Sequence, residues 1–207
     1  MAEDTAFPKL VSLACHDLRT PLATIFGFAR TLTRSEGLSP TFVEYASMIE
    51  AASDQLGELI DELSLAARIA DRRYDPKLER VSTEELAAAA IERLGEDRVA
   101  VSGSGGEVSV DVDSAKRSVS ALVQCALRHG GLERVEVVTE GAELRVSPIT
   151  ASSAPVVLGQ DLRDLGAAVA VRHLERLGGS VTVDGGALTI RLPAWADGGE
   201  APNSNRH

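Results

Sequence analysis

The chain has 207 residues, 44% apolar content and a formal net charge of −10, which gives enough apolar material for one large or two small cores. The negative charge argues against a nucleic-acid partner, because phosphate backbones are bound by basic faces. No apolar stretch reaches the roughly 18 residues of a membrane span, and the N-terminus lacks a basic-then-apolar leader, so a cytoplasmic chain without a membrane span is expected.

The first third of the chain predicts two long helices. Apolar residues spaced by three and four predict one helix over residues 7–34. Ser39 and Pro40 supply an N-cap and a first-turn proline for a second helix that runs to about Ala70. A hairpin of two such helices cannot bury both apolar stripes, so pairing with a second copy into a dimeric four-helix bundle is expected.

After a polar segment that ends in Pro76, the pattern changes to shorter elements. Capping residues and periodicity predict helices and strands in alternation, with helices over 82–94, 113–129 and 161–177 and strands over 98–102, 107–112, 133–139, 143–146, 181–183 and 188–192. Three helices on a mixed sheet form an α/β sandwich, so the fold class of the whole chain is α+β. The expected domains are 1–73 and 77–196, and a tail over 197–207 is predicted to be disordered.

Within the first helix, His16 is followed directly by Asp17 and one turn later by Thr20. Helical spacing places His16 and Thr20 on one face, while Asp17 points about 100° away and must lean back to reach the imidazole. A neutral imidazole that donates one ring N–H to a carboxylate keeps its other nitrogen free to attack, which suits capture of a phosphoryl group. Pro21 offers no N–H to the carbonyl of Asp17, so we expect a bend that exposes His16. The simpler alternative is a solvent-facing histidine beside a kink proline.

The run at residues 16–22, His-Asp-Leu-Arg-Thr-Pro-Leu, with its flanks from Leu10 to Ala29, resembles the phosphoacceptor box of sensor histidine kinases. The resemblance implies that His16 carries the phosphoryl group, that Asp17 is its acid/base partner and that Thr20 positions water for removal of phosphate from a partner regulator. We expect a receiver domain to dock on the lower part of the hairpin. The expected docking residues are Leu22, Ile25, Phe26, Ala29, Ile60 and Leu63.

The later elements resemble the catalytic, ATP-binding domain of the same family, most closely over residues 165–193. The nucleotide contacts implied by that resemblance do not carry over. Cys125 stands where the family has a magnesium-binding asparagine, and sulfur is a poor ligand for magnesium. Pro148 stands where an aspartate reads adenine, and the segment before Gly166 is too short for the usual mobile lid. Neither ATP nor a metal is therefore expected as a cofactor.

These features predict a phosphorelay protein of the histidine phosphotransferase kind, which exchanges a phosphoryl group with response-regulator receiver domains without ATP. One alternative is an ATP-dependent sensor histidine kinase with a divergent nucleotide site. Its cofactors would be ATP and Mg²⁺. The other is a non-enzymatic dimeric adaptor. ATP binding would favour the kinase, whereas an adaptor should have lost the phosphoacceptor box together with the nucleotide site.

Other candidate residues carry weaker signals. His129 is predicted to sit at a helix C-terminus, where the helix dipole favours it, and His173 is expected on a solvated helix face. The glycine-rich run at residues 103–106 has no following Lys-Ser/Thr, so it is interpreted as a turn between strands and not as a phosphate loop. Cys15 and Cys125 are too few and too far apart to predict a disulfide framework or a zinc site.

Overall fold

The structure is a computed structural model, and it describes residues 6–196. The chain divides into two compact units, one ending at Tyr74 and the other beginning at Asp75. The tail predicted over 197–207 lies outside the described residues. Among the helices that the structure describes, none combines the length and apolarity needed to cross a membrane.

The first unit is a hairpin of two helices, α1 (Ala6–Thr33) and α2 (Pro40–Ala70). The helices are antiparallel, because Arg19 on α1 pairs with Asp61 late in α2, whereas Thr33 at the end of α1 hydrogen-bonds to Glu50 early in α2. Small residues dominate the buried seam between the two helices and allow their backbones to approach closely. The buried seam residues include Cys15, Ala29, Ala46, Ser53, Ile60 and Ala67.

Much of the apolar surface of the hairpin is not covered by the hairpin itself. The exposed large apolar side chains are Phe7, Leu10, Leu13, Leu18, Ile25, Phe28 and Leu32 on α1, and Phe42, Tyr45, Met48, Ile49, Leu56, Leu59 and Leu63 on α2. A stable soluble chain rarely exposes so many large apolar residues in one element pair, since such patches mark interaction sites.

The second unit is built on a five-stranded mixed sheet in the order β2-β4-β5-β7-β6, with a separate antiparallel pair β1-β3. The strands are β1 (Glu79–Ser82), β2 (Val99–Gly105), β3 (Glu107–Val110), β4 (Val135–Gly141), β5 (Glu143–Ser147), β6 (Ser180–Asp184) and β7 (Ala187–Arg191). Pairing is parallel between β2 and β4 and antiparallel elsewhere. Buried and exposed residues alternate along β4 and β5, so helices cover one face of the sheet.

Four helices belong to this unit: α3 (Thr83–Leu94), α4 (Val112–Gly130), α5 (Ala154–Val157) and α6 (Leu165–Arg176). The three longer helices begin where a side-chain oxygen accepts a backbone N–H, as expected of N-caps. Ser82 caps α3, Asp111 caps α4 and Asp164 caps α6. The predicted helical hairpin followed by an α/β sandwich is therefore confirmed.

Local differences from the sequence prediction follow from pairing and capping. The last long helix begins at Leu165 and not at residue 161, because Asp164 is its N-cap. Strand β1 was not predicted, since its four residues are specified mainly by antiparallel pairing with β3. The segment before α6 is not a plain connection, because it contains the short helix α5.

The prediction that His173 lies on a solvated face was wrong. Its side chain is fully buried, and its Nδ1 lies 2.8 Å from the hydroxyl of Ser118 on α4. The exposed residues of α6 are Arg172, Glu175 and Arg176, so the charged neighbours of His173 occupy the solvent side while the imidazole faces α4. A buried hydrogen bond made this polar side chain compatible with the core.

The glycine run predicted to be a turn is partly strand. Gly103, Ser104 and Gly105 continue β2 alongside β4. Gly103 has φ of +99°, and a Cβ at this position would clash with the backbone carbonyl oxygen of Thr139. The glycine therefore serves the close parallel pairing of two strands, which a sequence reading based on turn residues does not anticipate.

We predict that Gly103→Ala destabilises the second unit by about 2 kcal/mol or more, through left-handed strain combined with a backbone clash. Gly131→Ala is the matched control, because Gly131 also has positive φ but has open space where a Cβ would lie. It should cost about 1 kcal/mol. Denaturant unfolding followed by circular dichroism measures both, and equal losses would contradict the proposed clash.

Candidate functional site

His16, Asp17 and Thr20 all lie on the exposed surface of α1. The preceding residue, Cys15, is only 2% exposed and lies in the seam against α2. Successive helical residues point about 100° apart, so burial of Cys15 turns the His16 side chain out of the seam. The structure therefore presents an imidazole, a carboxylate and a hydroxyl to solvent within one turn and a half of helix.

Helix α1 continues through Pro21 and ends only at Thr33. Because proline has no N–H, the carbonyl of Asp17 has no intrahelical donor four residues later. In the next turn, the Thr24 hydroxyl donates to the carbonyl of Thr20 at 3.1 Å. The backbone directly after His16 therefore has a weakened hydrogen-bond ladder without a break in the helix.

Most exposed apolar residues of α1 lie away from His16, the exception being Leu13 at about 60° from it. At about 100° per residue, Leu10 and Phe28 lie about 120° around the axis from His16, and Ile25 lies about 180° from it. The polar side that carries His16 is also where α1 and α2 form the ion pair between Arg19 and Asp61, 2.9 Å apart. His16 is thus on a polar side of the hairpin and away from its apolar face.

The expected receiver-docking residues are not brought together beside His16. Ala29 and Ile60 are buried in the seam, at 2% and 4% exposure, so their side chains do not lie on the surface of the single chain. Leu22 and Phe26 are half-buried between the helices. The two exposed members of the set, Ile25 and Leu63, belong to the apolar face.

In the second unit, Cys125 lies on α4 with its side chain fully buried. One turn later, His129 places its Nε2 3.2 Å from Oδ2 of Asp164, the N-cap of α6. Burial raises the pKa of the Cys125 thiol to about 12, and the negative charge of Asp164 adds to this shift while Arg128 and Arg163 oppose it. The thiol is therefore protonated near neutral pH and is not a nucleophile.

The position of Pro148, expected to have replaced an adenine-reading aspartate, is exposed at the end of β5. The next residue, Ile149, is buried and donates its N–H to the carbonyl of Gly186 at 2.7 Å. Pro148 lines an open groove of about 580 Å³ together with Arg134, Glu136 and Gly186. Cys125 is not among the residues that line this groove.

The space between α4 and α6 is occupied by protein. Val156 and Val157 of α5 are fully buried, and α5 packs against both α4 and α6. Gly166, in the first turn of α6, is half-buried. The segment in which the family resemblance implied a mobile lid therefore contains a short helix packed on α4 and α6.

Comparison with known proteins assigns the hairpin. Residues 9–72 match the His Kinase A (phospho-acceptor) domain family, and this range includes His16 and both helices of the seam. The hairpin is therefore similar to the phospho-acceptor domain of histidine kinases. The match covers almost the entire first unit. The exposed His16 lies on α1, within the matched range.

Three relatives show how far this histidine kinase-type likeness extends. Sensor protein DivL of Caulobacter vibrioides is 32% identical over 82 residues, which cover 40% of this chain and 11% of DivL. The full-length structure of ShkA in complex with AMPPNP has a TM-score of 0.64 at 19% identity over 91% of this chain and 47% of ShkA. Histidine kinase AdeS of Acinetobacter baumannii has a TM-score of 0.54 at 15% identity, over 86% of this chain and 98% of its own. The chain therefore spans about half of ShkA and a small part of DivL, and the structural likenesses concern the fold.

Proposed function

We propose that this chain is a phosphorelay protein that carries a phosphoryl group on His16 and exchanges it with receiver-domain aspartates without using ATP. The observation that supports this function best is the exposed His16–Asp17–Thr20 arrangement within a phosphoacceptor-type hairpin. The second unit keeps a histidine kinase-type fold, yet its matching positions carry a buried thiol and an exposed proline in place of nucleotide ligands.

Each site residue has a role that its chemistry supports. The free ring nitrogen of His16 attacks phosphorus, and the receiver aspartate leaves as its carboxylate while an N–P bond replaces the acyl phosphate bond. Asp17 accepts a hydrogen bond from the other ring N–H and holds the tautomer with the free nitrogen. The Thr20 hydroxyl, one turn away, orients a water for hydrolysis of phosphate on the receiver.

Three features of the second unit argue against ATP as the phosphoryl donor. Cys125 offers a protonated, buried sulfur where Mg²⁺ needs an oxygen ligand. Pro148 cannot accept a hydrogen bond from adenine through its side chain. Val156 and Val157 fill the space beside α4 that a nucleotide would require. If a receiver supplies the phosphoryl group, the chain needs no magnesium ligand, no adenine contact and no room for a nucleotide.

The kinase alternative keeps one observation in its favour. The fold of the second unit extends the likeness to ShkA, whose structure contains AMPPNP. At 19% identity that likeness shows the fold alone. The ATP-dependent kinase is therefore the second candidate, and Mg²⁺ with ATP would be its cofactors.

We propose that the apolar face of the hairpin is a homodimer interface. On α1, Leu18, Ile25 and Phe28 lie within about 40° of a common direction, which is about 100° from the seam. On α2, Leu56, Leu63 and Met48 lie about 50°, 70° and 130° from the seam, all in the same sense of rotation. In antiparallel helices this offset brings both stripes to one side of the hairpin, where a second copy can complete a four-helix bundle.

Receiver docking then belongs on the side that remains open. A dimer interface that includes Ile25 and Leu63 leaves His16, Arg19 and Asp61 facing solvent. The proposed docking surface is therefore the polar side of the hairpin that carries these three residues, with the half-buried Leu22 and Phe26 below it. This proposal replaces the larger docking set expected from the sequence.

We predict that His16→Ala abolishes phosphoryl transfer to the chain. The protein would be incubated with receiver domains from its own genome that have been phosphorylated with acetyl phosphate, and acid-labile, base-stable label would be quantified on the chain. Label should appear on wild-type protein and on the control His129→Gln, because His129 is the other partly exposed histidine that the structure describes. Label that persists in His16→Ala would contradict the assignment.

We predict that Phe28→Glu weakens self-association at least about tenfold, which is about 1.4 kcal/mol. The reason is that a carboxylate would be buried without a partner in the proposed dimer interface. Phe28 is 68% exposed in the single chain, so the substitution leaves the hairpin itself unstrained. Ala23→Glu is the control, since Ala23 is exposed on the His16 side. Sedimentation equilibrium that gives equal dissociation constants for both variants would overturn the proposed interface.

A further inference from the structure

The strongest unassigned feature of the molecule is a cluster of three ligand-type side chains between α4 and α6. One atom from each of Cys125, His129 and Asp164 lies within 4.8 Å of the other two. The imidazole Nε2 and the carboxylate Oδ2 are 3.2 Å apart. Within the residues 6–196 that the structure describes, this is the one grouping of three His, Cys, Asp or Glu side chains with such spacing.

We propose that Cys125, His129 and Asp164 bind a divalent transition metal of the zinc class. Zinc is bound tetrahedrally at about 2.3 Å from sulfur and about 2.0–2.2 Å from nitrogen and oxygen, which puts neighbouring ligand atoms roughly 3.3–3.6 Å apart. The imidazole–carboxylate spacing of 3.2 Å is close to this range. The sulfur needs a shift of roughly an ångström at most, which a change of side-chain torsion supplies. A water completes the fourth position.

The ligand chemistry selects this class of metal over magnesium. A thiolate with an imidazole is a borderline-soft donor set, whereas Mg²⁺ prefers six oxygen ligands. Binding forms a sulfur–metal bond as the thiol proton passes to solvent, because the thiolate is the ligand. One thiolate and one carboxylate then neutralise a divalent cation, so the filled site would carry no net charge in a largely buried position.

The surroundings of the cluster are arranged as supporting contacts of a metal site. Oδ1 of Asp164 accepts the backbone N–H of Ala167 at 3.0 Å, which fixes the carboxylate and leaves Oδ2 directed toward His129. The nearby guanidinium groups are not locked in the cluster. Arg128 reaches Oδ2 only at 3.5 Å from a side chain that is 59% exposed, and Arg163 is held by Asp161 at 2.7 Å.

This inference does not rest on the proposed phosphorelay function. It concerns only the second unit, and it revises the expectation from the sequence that the chain binds no metal. A metal here would join the last turn of α4 to the N-cap of α6, and α5 packs against both of these helices. It would thereby stabilise, through coordination, the region from which nucleotide ligands are missing.

The test is a titration of chelator-treated, tag-free full-length protein with Zn²⁺ and with Co²⁺. We expect one metal ion per chain, a higher midpoint of thermal unfolding with Zn²⁺, and an intense thiolate-to-cobalt charge-transfer absorption with Co²⁺. Cys125→Ser should remove that absorption. His129→Gln should weaken binding by more than the roughly 10- to 100-fold that loss of a residue supporting a metal ligand costs.

Cys15→Ser is the matched control, because Cys15 is the other free cysteine and lies next to His16. It should leave the absorption and the affinity unchanged. Absence of binding to the folded wild-type protein would overturn the proposal, as would absorption lost in Cys15→Ser and kept in Cys125→Ser. If Cys125→Ser fails to fold, the test uses the partly exposed His129 in its place. Unaltered metal binding by His129→Gln would then refute the site.

Discussion

The close packing of α1 on α2 through small residues is the constraint on which the phosphoacceptor site depends. Cys15 and Ala29 on one helix and Ala46, Ser53 and Ile60 on the other fix the rotation of both helices about their axes. With Cys15 in the seam, His16 must point outward, and the large apolar residues must form a separate face. The packing of the two helices therefore determines on which sides of the hairpin His16 and the exposed apolar face lie.

The fold of the second unit rests on apolar packing. Its sheet and long helices are held by buried apolar residues such as Leu122, Leu144 and Ile190, none of which needs a nucleotide. Val156 and Val157 of α5 and the thiol of Cys125 are buried as well.

Most of the architecture was accessible from the sequence, because strong local signals specified it. Helical periodicity predicted α1 and α2, and Ser82 marks the start of α3 through an N-cap that is read locally. Helix α4 was predicted from residue 113, whereas it begins at Val112 after the N-cap Asp111. Local signals failed where long-range pairing decided the outcome. Gly103 looks like a turn residue, but its parallel partner Thr139 comes from a distant strand.

The same limit applied to the functional candidates. His173 sits among charged neighbours in sequence. Only the packing of α6 on α4 shows that its imidazole is buried and hydrogen-bonds to Ser118. Ala29 and Ile60 were expected to contact a receiver, because the apolar pattern of a helix does not reveal which of its residues are buried between the two helices of the hairpin. The cluster of Cys125, His129 and Asp164 escaped notice because His129 and Asp164 are 35 residues apart, outside the short spacings by which metal sites are recognised.

Calorimetric titration of the full chain with ATP and Mg²⁺ tests most directly whether phosphoryl transfer through His16 proceeds without a nucleotide. We expect no heat of binding at micromolar to millimolar ATP, because a buried thiol, an exposed proline and packed valines replace the required contacts. Saturable binding in the micromolar range would contradict this, and it would make the chain an ATP-dependent kinase with an unusual set of nucleotide ligands.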